Sequence, residues 1–274
     1  MNRQQLIHNI QKKKSVLCVG LDTDIQKIPA HLRDHEDPIF AFNKEIVDST
    51  ADFAVAYKPN IAFYEAEGTK GWESLHKIIT YLRENYPDIF LIADAKRGDI
   101  GNTAERYAQT FYHTYQFHSV TLSPYMGKDS IEPFLRDQDK WAIVLGLTSN
   151  QGALDVQMLS LGKTYNNQHI YQKVMQTVAS WGTTANTMFV VGATNSEQLA
   201  DIRSQFPEHF FLIPGVGAQG GDLNEVLHHT FVKNEGLVLI NSSRGILYAA
   251  NDQNFAMAAR KEAQKLQEVM STFF

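Results

Sequence analysis

Short apolar runs alternate with amphipathic stretches along the whole chain. Apolar residues cluster at 16–21, 53–57, 90–93, 120–122, 141–147, 188–192, 210–213 and 237–240. Each run is as long as a buried strand and is followed by polar or turn-forming residues. Helix-compatible patterns fill the intervals at 38–49, 72–85, 103–114, 130–136, 169–181, 196–205, 223–228 and 252–270. Eight successive strand–helix units are the arithmetic of a (β/α)8 barrel; a doubly wound open sheet shares the alternation, but the count favours the barrel. An additional helix over 3–13 would cap the barrel bottom, with Lys12, Lys13 and Lys14 forming a solvated polar face. The expected architecture is therefore α/β, a TIM barrel with an N-terminal capping helix, as one domain over residues 1–274. Segment 150–167 exceeds an ordinary strand-to-helix connection, and a long loop at that end of a barrel is a candidate lid.

Composition narrows the partners. With 43% hydrophobic and 20% charged residues and no low-complexity linker, the 274-residue chain can bury a sizeable core as one unit. The net charge of -5 leaves no basic footprint for a nucleic acid and no polybasic membrane surface, so any bound anion is small and locally recognised. Residues 1–14 are too polar for a secretory signal and no apolar run approaches a membrane span, so the expected location is cytoplasmic. The single cysteine, Cys18, lies within an apolar run and reads as a buried, inert thiol.

Barrel logic places chemistry just after each strand. Those positions are unusually polar: Asp22 after the first run, Lys58 and Asn60 after the second, and Asp94 and Lys96 after the third. Thr148, Ser149 and Asn150 follow the fifth, and Asn241, Ser242, Ser243 and Arg244 the eighth. Alternation puts Asp94 and Lys96 on one side of their strand, close enough for their side chains to touch. A carboxylate and an ammonium at a buried strand end are costly unless satisfied by partners, which marks the cluster as functional; the plainer alternative is an ion-pair network closing the barrel mouth. For Asp22 and Thr103 the plainer alternative is helix or loop capping.

Residues 214–221, PGVGAQGG, contain G-x-G-x-x-G. They stand in the seventh unit, not the first, and the following strand ends in Asn241 where a dinucleotide fold places an acid, so the dinucleotide reading is rejected. In a barrel, the turns after strands seven and eight commonly cradle phosphate, here with Pro214, Gly217, Gln219, Ser243 and Arg244. His31 and His35 form H-x-x-x-H without the glutamate that zinc hydrolysis needs, and adjacent His228 and His229 share no helix face; neither pair reads as a metal site.

The run 94–104, DAKRGDIGNTA, resembles the D-x-K-x-x-D-I…T signature of the orotidine 5'-phosphate decarboxylase family, in the form found in its bacterial type 2 branch. Agreement extends through G-L-D at 20–22, Y-K-P-N at 57–60, T-S-N at 148–150, P-G-V-G-A-Q-G at 214–220 and S-R-G at 243–245. The branch is expected to carry proline after T-S-N, where this chain has Gln151. The resemblance implies cofactor-independent, metal-free decarboxylation of orotidine 5'-monophosphate to UMP, the last step of de novo pyrimidine synthesis. It implies that Lys96 places a proton on C6, that Asp94 lies beside the departing carboxylate, and that Lys58 and Asp22 serve the ribose. It also implies a homodimer in which Asp99, Ile100 and Thr103 reach the neighbouring subunit's site. Ser149 and Asn150 would read the pyrimidine edge, and Gln219 and Arg244 would hold the phosphate.

Two rivals remain. A 3-hexulose-6-phosphate synthase resembles this barrel and shares D-x-K-x-x-D, but looks to place a magnesium-binding glutamate where this chain has Lys58, a poor neighbour for a cation. A nucleotide-binding module with its catalysis lost is the other.

Overall fold

The computed structural model describes residues 1–193, 196–216 and 221–274. Its eight strands are β1 (Leu17–Gly20), β2 (Ala54–Lys58), β3 (Phe90–Arg97), β4 (Ser119–Leu122), β5 (Trp141–Leu147), β6 (Thr187–Val191), β7 (Phe210–Pro214) and β8 (Val238–Ser242). All pair in parallel with their sequence neighbours, and β1 also pairs with β8, so the sheet closes in the order β1 to β8. A parallel neighbour must be reached by a crossover, and helices such as Pro38–Thr50, Gly68–Asn85, Ile170–Ala179 and Leu223–Thr230 make those crossovers.

The barrel interior is set by side-chain alternation. Phe90, Trp141 and Phe210 begin β3, β5 and β7, which are not neighbours, yet Trp141 meets the other two edge to face at centroid distances of 6.0 and 5.7 Å. These rings can meet only across the inside, so odd-numbered strands supply one interior layer near the bottom. On β3 the same phase runs Phe90, Ile92, Asp94, Lys96, which carries an apolar plug upward into a charged mouth. On β2, Tyr57 points outward, its hydroxyl 2.7 Å from that of Thr50, so Lys58 points in.

Helix Arg3–Lys13 does lie across the bottom. Asn9 donates to the Asp88 carbonyl at 2.7 Å, and Arg3 to those of Thr184 and Glu208 at 3.2 and 2.9 Å, all just before strands. Lys13 corrects the expectation of a solvated face: its Nζ donates to the carbonyls of Ala51 and Ala54 at 2.6 and 2.7 Å, and burial pushes its ammonium down to about 8. The third amphipathic stretch also departs from expectation, starting at Gly101 and passing from α-helix into a π-helical turn over Gln109–Thr114. Thr103 therefore sits inside the helix and does not cap it; Ile100 holds the cap position, with no side-chain cap bond.

Segment 150–167 is compact, with short 3-10 turns at Gln151–Asp155 and Lys163–Tyr165 and a bridge from Ser160 to His169. No helix among the described residues is long and apolar enough to cross a membrane.

Candidate active site

The ends of two neighbouring strands, β2 and β3, bring Lys58, Asp94 and Lys96 into one chain of contacts. Asp94 Oδ2 accepts from Lys58 Nζ at 2.6 Å and Asp94 Oδ1 from Lys96 Nζ at 2.6 Å. The Lys58 and Asp94 side chains are only 5% and 10% exposed, whereas Lys96 is 51% exposed, so one ammonium is embedded and the other faces the barrel mouth. Burial by itself would raise the Asp94 carboxyl, but the ammonium groups of Lys58 and Lys96 outweigh it and hold the group well below the usual carboxylate range. Burial likewise opposes the charge on Lys58, and the Asp22 and Asp94 carboxylates outweigh it, raising that ammonium above its ordinary value. Asp94 and Lys58 are therefore both ionised at neutral pH.

Asp22 flanks the group from β1, with Oδ1 3.8 Å from Lys58 Nζ, buried, and without a hydrogen bond. It does not cap a loop. Its backbone is tied instead: Tyr64 donates to the Leu21 carbonyl at 3.0 Å, and Tyr248 donates to the Asp22 carbonyl at 3.1 Å while accepting from the Asp24 amide at 2.8 Å. A buried carboxylate oxygen left unpaired on an anchored backbone can accept from a ligand hydroxyl. Thr121 on β4 is a further contributor outside every motif named above, donating to Asp94 Oδ1 at 3.0 Å. A polar residue at an inward position of the short apolar run 120–122 is the signal that could have found it; Tyr64 and Tyr248 have no such signal, because their hydroxyls act on distant carbonyls.

Asp99, Ile100 and Thr103 are not brought into this cluster. All three are exposed; Ile100 is 44% exposed, and Asp99 Oδ1 accepts from the Ile100 amide at 2.8 Å. They form an outward-facing strip after β3, where an apolar side chain stands beside a carboxylate.

After β5, Thr148 donates to Asn150 Oδ1 at 2.6 Å, and the Gln157 side chain takes the Thr148 amide and returns a donor to its hydroxyl, both at 2.8 Å. Gln157 thus fastens the loop to its own base, and Gln151, where proline is expected, begins the 3-10 turn beyond Asn150. Ser149 lies close over Gly192, where a Cβ would come within 2.7 Å of the Ser149 amide nitrogen. On the opposite wall, Ser243 caps the short helix Arg244–Leu247 and its hydroxyl accepts from Asn241 Nδ2 at 3.2 Å. Gly20 makes room for it: a Cβ there would stand 1.9 Å from Ser243 Oγ. Arg244 is exposed. Pro214 ends β7, in register with Asn241 of β8. Gly217 and Gln219 lie outside the described residues. Cys18, inside the barrel 3.6 Å from Asn241 Oδ1, has its thiol pushed up by burial to about 12, which removes it as a nucleophile.

The chain matches the orotidine 5'-phosphate decarboxylase / HUMPS family over residues 15–259. It belongs to that family. An orotidine 5'-phosphate decarboxylase of Phocaeicola vulgatus is 54% identical over 270 residues, covering 98% of each chain, and one of Flavobacterium johnsoniae is 55% identical over 271 residues, covering 99% of this chain and 97% of its own. Among solved structures, the OMP decarboxylase of Leishmania donovani superposes with a TM-score of 0.80 at 35% identity, covering 98% of this chain and 99% of its own. These relatives, matched over nearly their full length, are named as decarboxylases.

Proposed function

We propose that the Lys58–Asp94–Lys96 cluster is the catalytic apparatus of an orotidine 5'-monophosphate decarboxylase, and that Lys96 is its proton donor. The chain is an enzyme that converts orotidine 5'-monophosphate to UMP and CO2 in pyrimidine synthesis. Breaking the C6–carboxylate bond leaves the electron pair in the ring plane, where the π system cannot delocalise it. CO2 departs and the pair on C6 takes a proton from Lys96 Nζ. Stabilisation must then be electrostatic: two unit charges about 4 Å apart interact by roughly 4 kcal/mol at an effective dielectric near 20. That attraction accelerates the reaction only insofar as it grows while charge moves onto carbon.

Asp94 holds both ammonium groups and so fixes where that proton stands. Lys58 and Asp22 are assigned to the ribose hydroxyls, Ser149 and Asn150 to the pyrimidine edge, and Pro214, Gly217, Gln219, Ser243 and Arg244 to the phosphate, with segment 150–167 as the covering loop. The exposed strip of Asp99, Ile100 and Thr103 is assigned to a homodimer in which it completes the neighbouring site; the outward-facing Ile100 and the absence of these residues from their own cluster support that reading. The chain is read as a single domain over residues 1–274, working in the cytoplasm without a cofactor.

One observation carries the reading: an ammonium fixed at 2.6 Å by a carboxylate that a second, buried ammonium already neutralises. A magnesium ion would meet Lys58 at that carboxylate, which disfavours the aldolase chemistry of the family's other branch. The test follows the orotate chromophore with purified protein and orotidine 5'-monophosphate, with and without a chelator. Loss of absorbance unaffected by the chelator is expected. Dependence on magnesium, or tight UMP binding with no turnover, would overturn the assignment.

A further inference from the structure

The β3–β4 ladder is interrupted at the place where the chemistry stands. Register shifts between Ala93 and Arg97, and Lys96 adopts φ +47°, a left-handed conformation that is unfavourable for a lysine unless its surroundings impose it. The Lys96 amide donates at 2.9 Å to Thr121 Oγ1, and that same hydroxyl donates to Asp94 Oδ1 at 3.0 Å. Thr121 is buried at 1% exposure, so water does not compete for these bonds. A hydroxyl has a single proton, and with the amide donating to its oxygen that proton is directed to the carboxylate. The Lys96 side chain is thereby held at both ends: its backbone hangs from Thr121, and its ammonium hangs from the carboxylate that Thr121 also grips.

We infer that Thr121 is a positioning residue for decarboxylation, fixing the Lys96 ammonium through a relay from amide to hydroxyl to Asp94. This rests on the reading of Lys96 as the proton donor. The lysine must meet a localised electron pair, so a small displacement costs rate without loosening the phosphate or ribose contacts.

The experiment compares Thr121→Val, which keeps the shape and removes the hydroxyl, with Thr121→Ser, which keeps both hydrogen bonds. Thr121→Val is expected to lower kcat about 30-fold, the order for one lost hydrogen bond to a charged group, with KM and UMP affinity changed less than about threefold. Thr121→Ser is expected to stay within about threefold of the parent in kcat, a rescue that a purely space-filling role would not give. Thr121→Ala is read in the same way if Thr121→Val does not fold. With an active parent, a folded hydroxyl-free variant of near-parental kcat, or Thr121→Ser as slow as Thr121→Val, overturns this inference alone. A parent that leaves the substrate unchanged overturns the functional reading and this inference with it.

Discussion

The two walls of the barrel mouth are built on opposite plans. On the β2–β4 wall, Lys58, Asp94, Lys96 and Thr121 hold one another at 2.6 to 3.0 Å, and the central carboxylate has three donors. On the β8 wall, Arg244 is exposed and its side chain makes no hydrogen bond or ion pair among the described residues. The first wall is organised by folding itself, since a buried carboxylate and a buried ammonium cannot stay apart. The second keeps its cation available to an anion. Preorganised charge suits a step in which charge appears on carbon, and an available arginine suits binding of a group remote from that step. Substitutions on the two walls should therefore fail in different ways.

The largest expected effect is Lys96→Ala. On the proposed role of Lys96, the substitution removes both the proton donor and the attraction for the carbanion, and should lower kcat by at least about a thousandfold even at saturation, as an interaction of roughly 4 kcal/mol implies. UMP titration of the same variant should show binding retained. Turnover within about tenfold of the parent would erase the contrast between the walls.

Arg244→Ala comes next, and its signature is different: kcat/KM should fall about 100-fold, mainly through KM, as expected for a charged contact to a remote phosphate. Steady-state kinetics over a wide substrate range separates the two cases. Equal losses in kcat and kcat/KM would place Arg244 in the chemical step and break the comparison.

The walls should also differ in what they contribute to stability. Asp94→Asn leaves the ammonium groups of Lys58 and Lys96 facing a neutral amide, at an expected cost of about 3 kcal/mol in denaturant titration, whereas Arg244→Ala should stay within about 0.5 kcal/mol of the parent. The pH dependence follows the same logic. The Asp94 carboxyl is depressed from 3.8, so its contribution is present above that unfolded value and is lost as pH falls toward the folded one. The Lys58 ammonium is raised from 10.5, so its contribution is present below that value and is lost as pH climbs beyond it. Both limbs should flatten in Asp94→Asn and remain in Arg244→Ala.

The same division marks what could be read from the chain alone. Each predicted strand overlaps an observed one, because strands buried on both faces are continuous apolar runs. The errors gather at the site. β2 runs on into Lys58, β3 to Arg97 and β8 through Asn241 and Ser242, since a hydrophobic pattern stops at the polar residues that a site buries. The helices Ala30–Arg33, Ile61–Glu65 and Arg244–Leu247 are too short to show a period. Asp94, Lys96 and Lys58 were legible because charge at a strand end is conspicuous. Thr121 was not, since a threonine in a strand needs no special explanation until its hydroxyl is seen between an amide and a carboxylate. Lys13 was misread for the complementary reason: the carbonyls it satisfies, Ala51 and Ala54, come from a distant part of the chain.

The smallest expected effect concerns the β5 loop, where Gln151 replaces an expected proline. Asn150 has φ -76° and ψ 151°, the extended conformation that a following proline demands, and Gln151 opens a 3-10 turn, where φ lies near the proline value. No hydrogen bond is made by the Gln151 amide among the described residues, whereas the Asn150 carbonyl accepts from Ala153 at 3.0 Å. Proline would therefore cost no bond and would restrict the unfolded chain, so Gln151→Pro should stabilise the protein by about 0.5 kcal/mol in denaturant titration. The loop already has a brace in the paired bonds between Gln157 and Thr148 at 2.8 Å, so kcat should change by less than about twofold. Gln157→Ala should remove that brace, and proline should then matter more: a larger stabilisation by Gln151→Pro in the Gln157→Ala background than in the parent would show that the two devices stiffen the same loop. Equal increments in both backgrounds would show that they act independently.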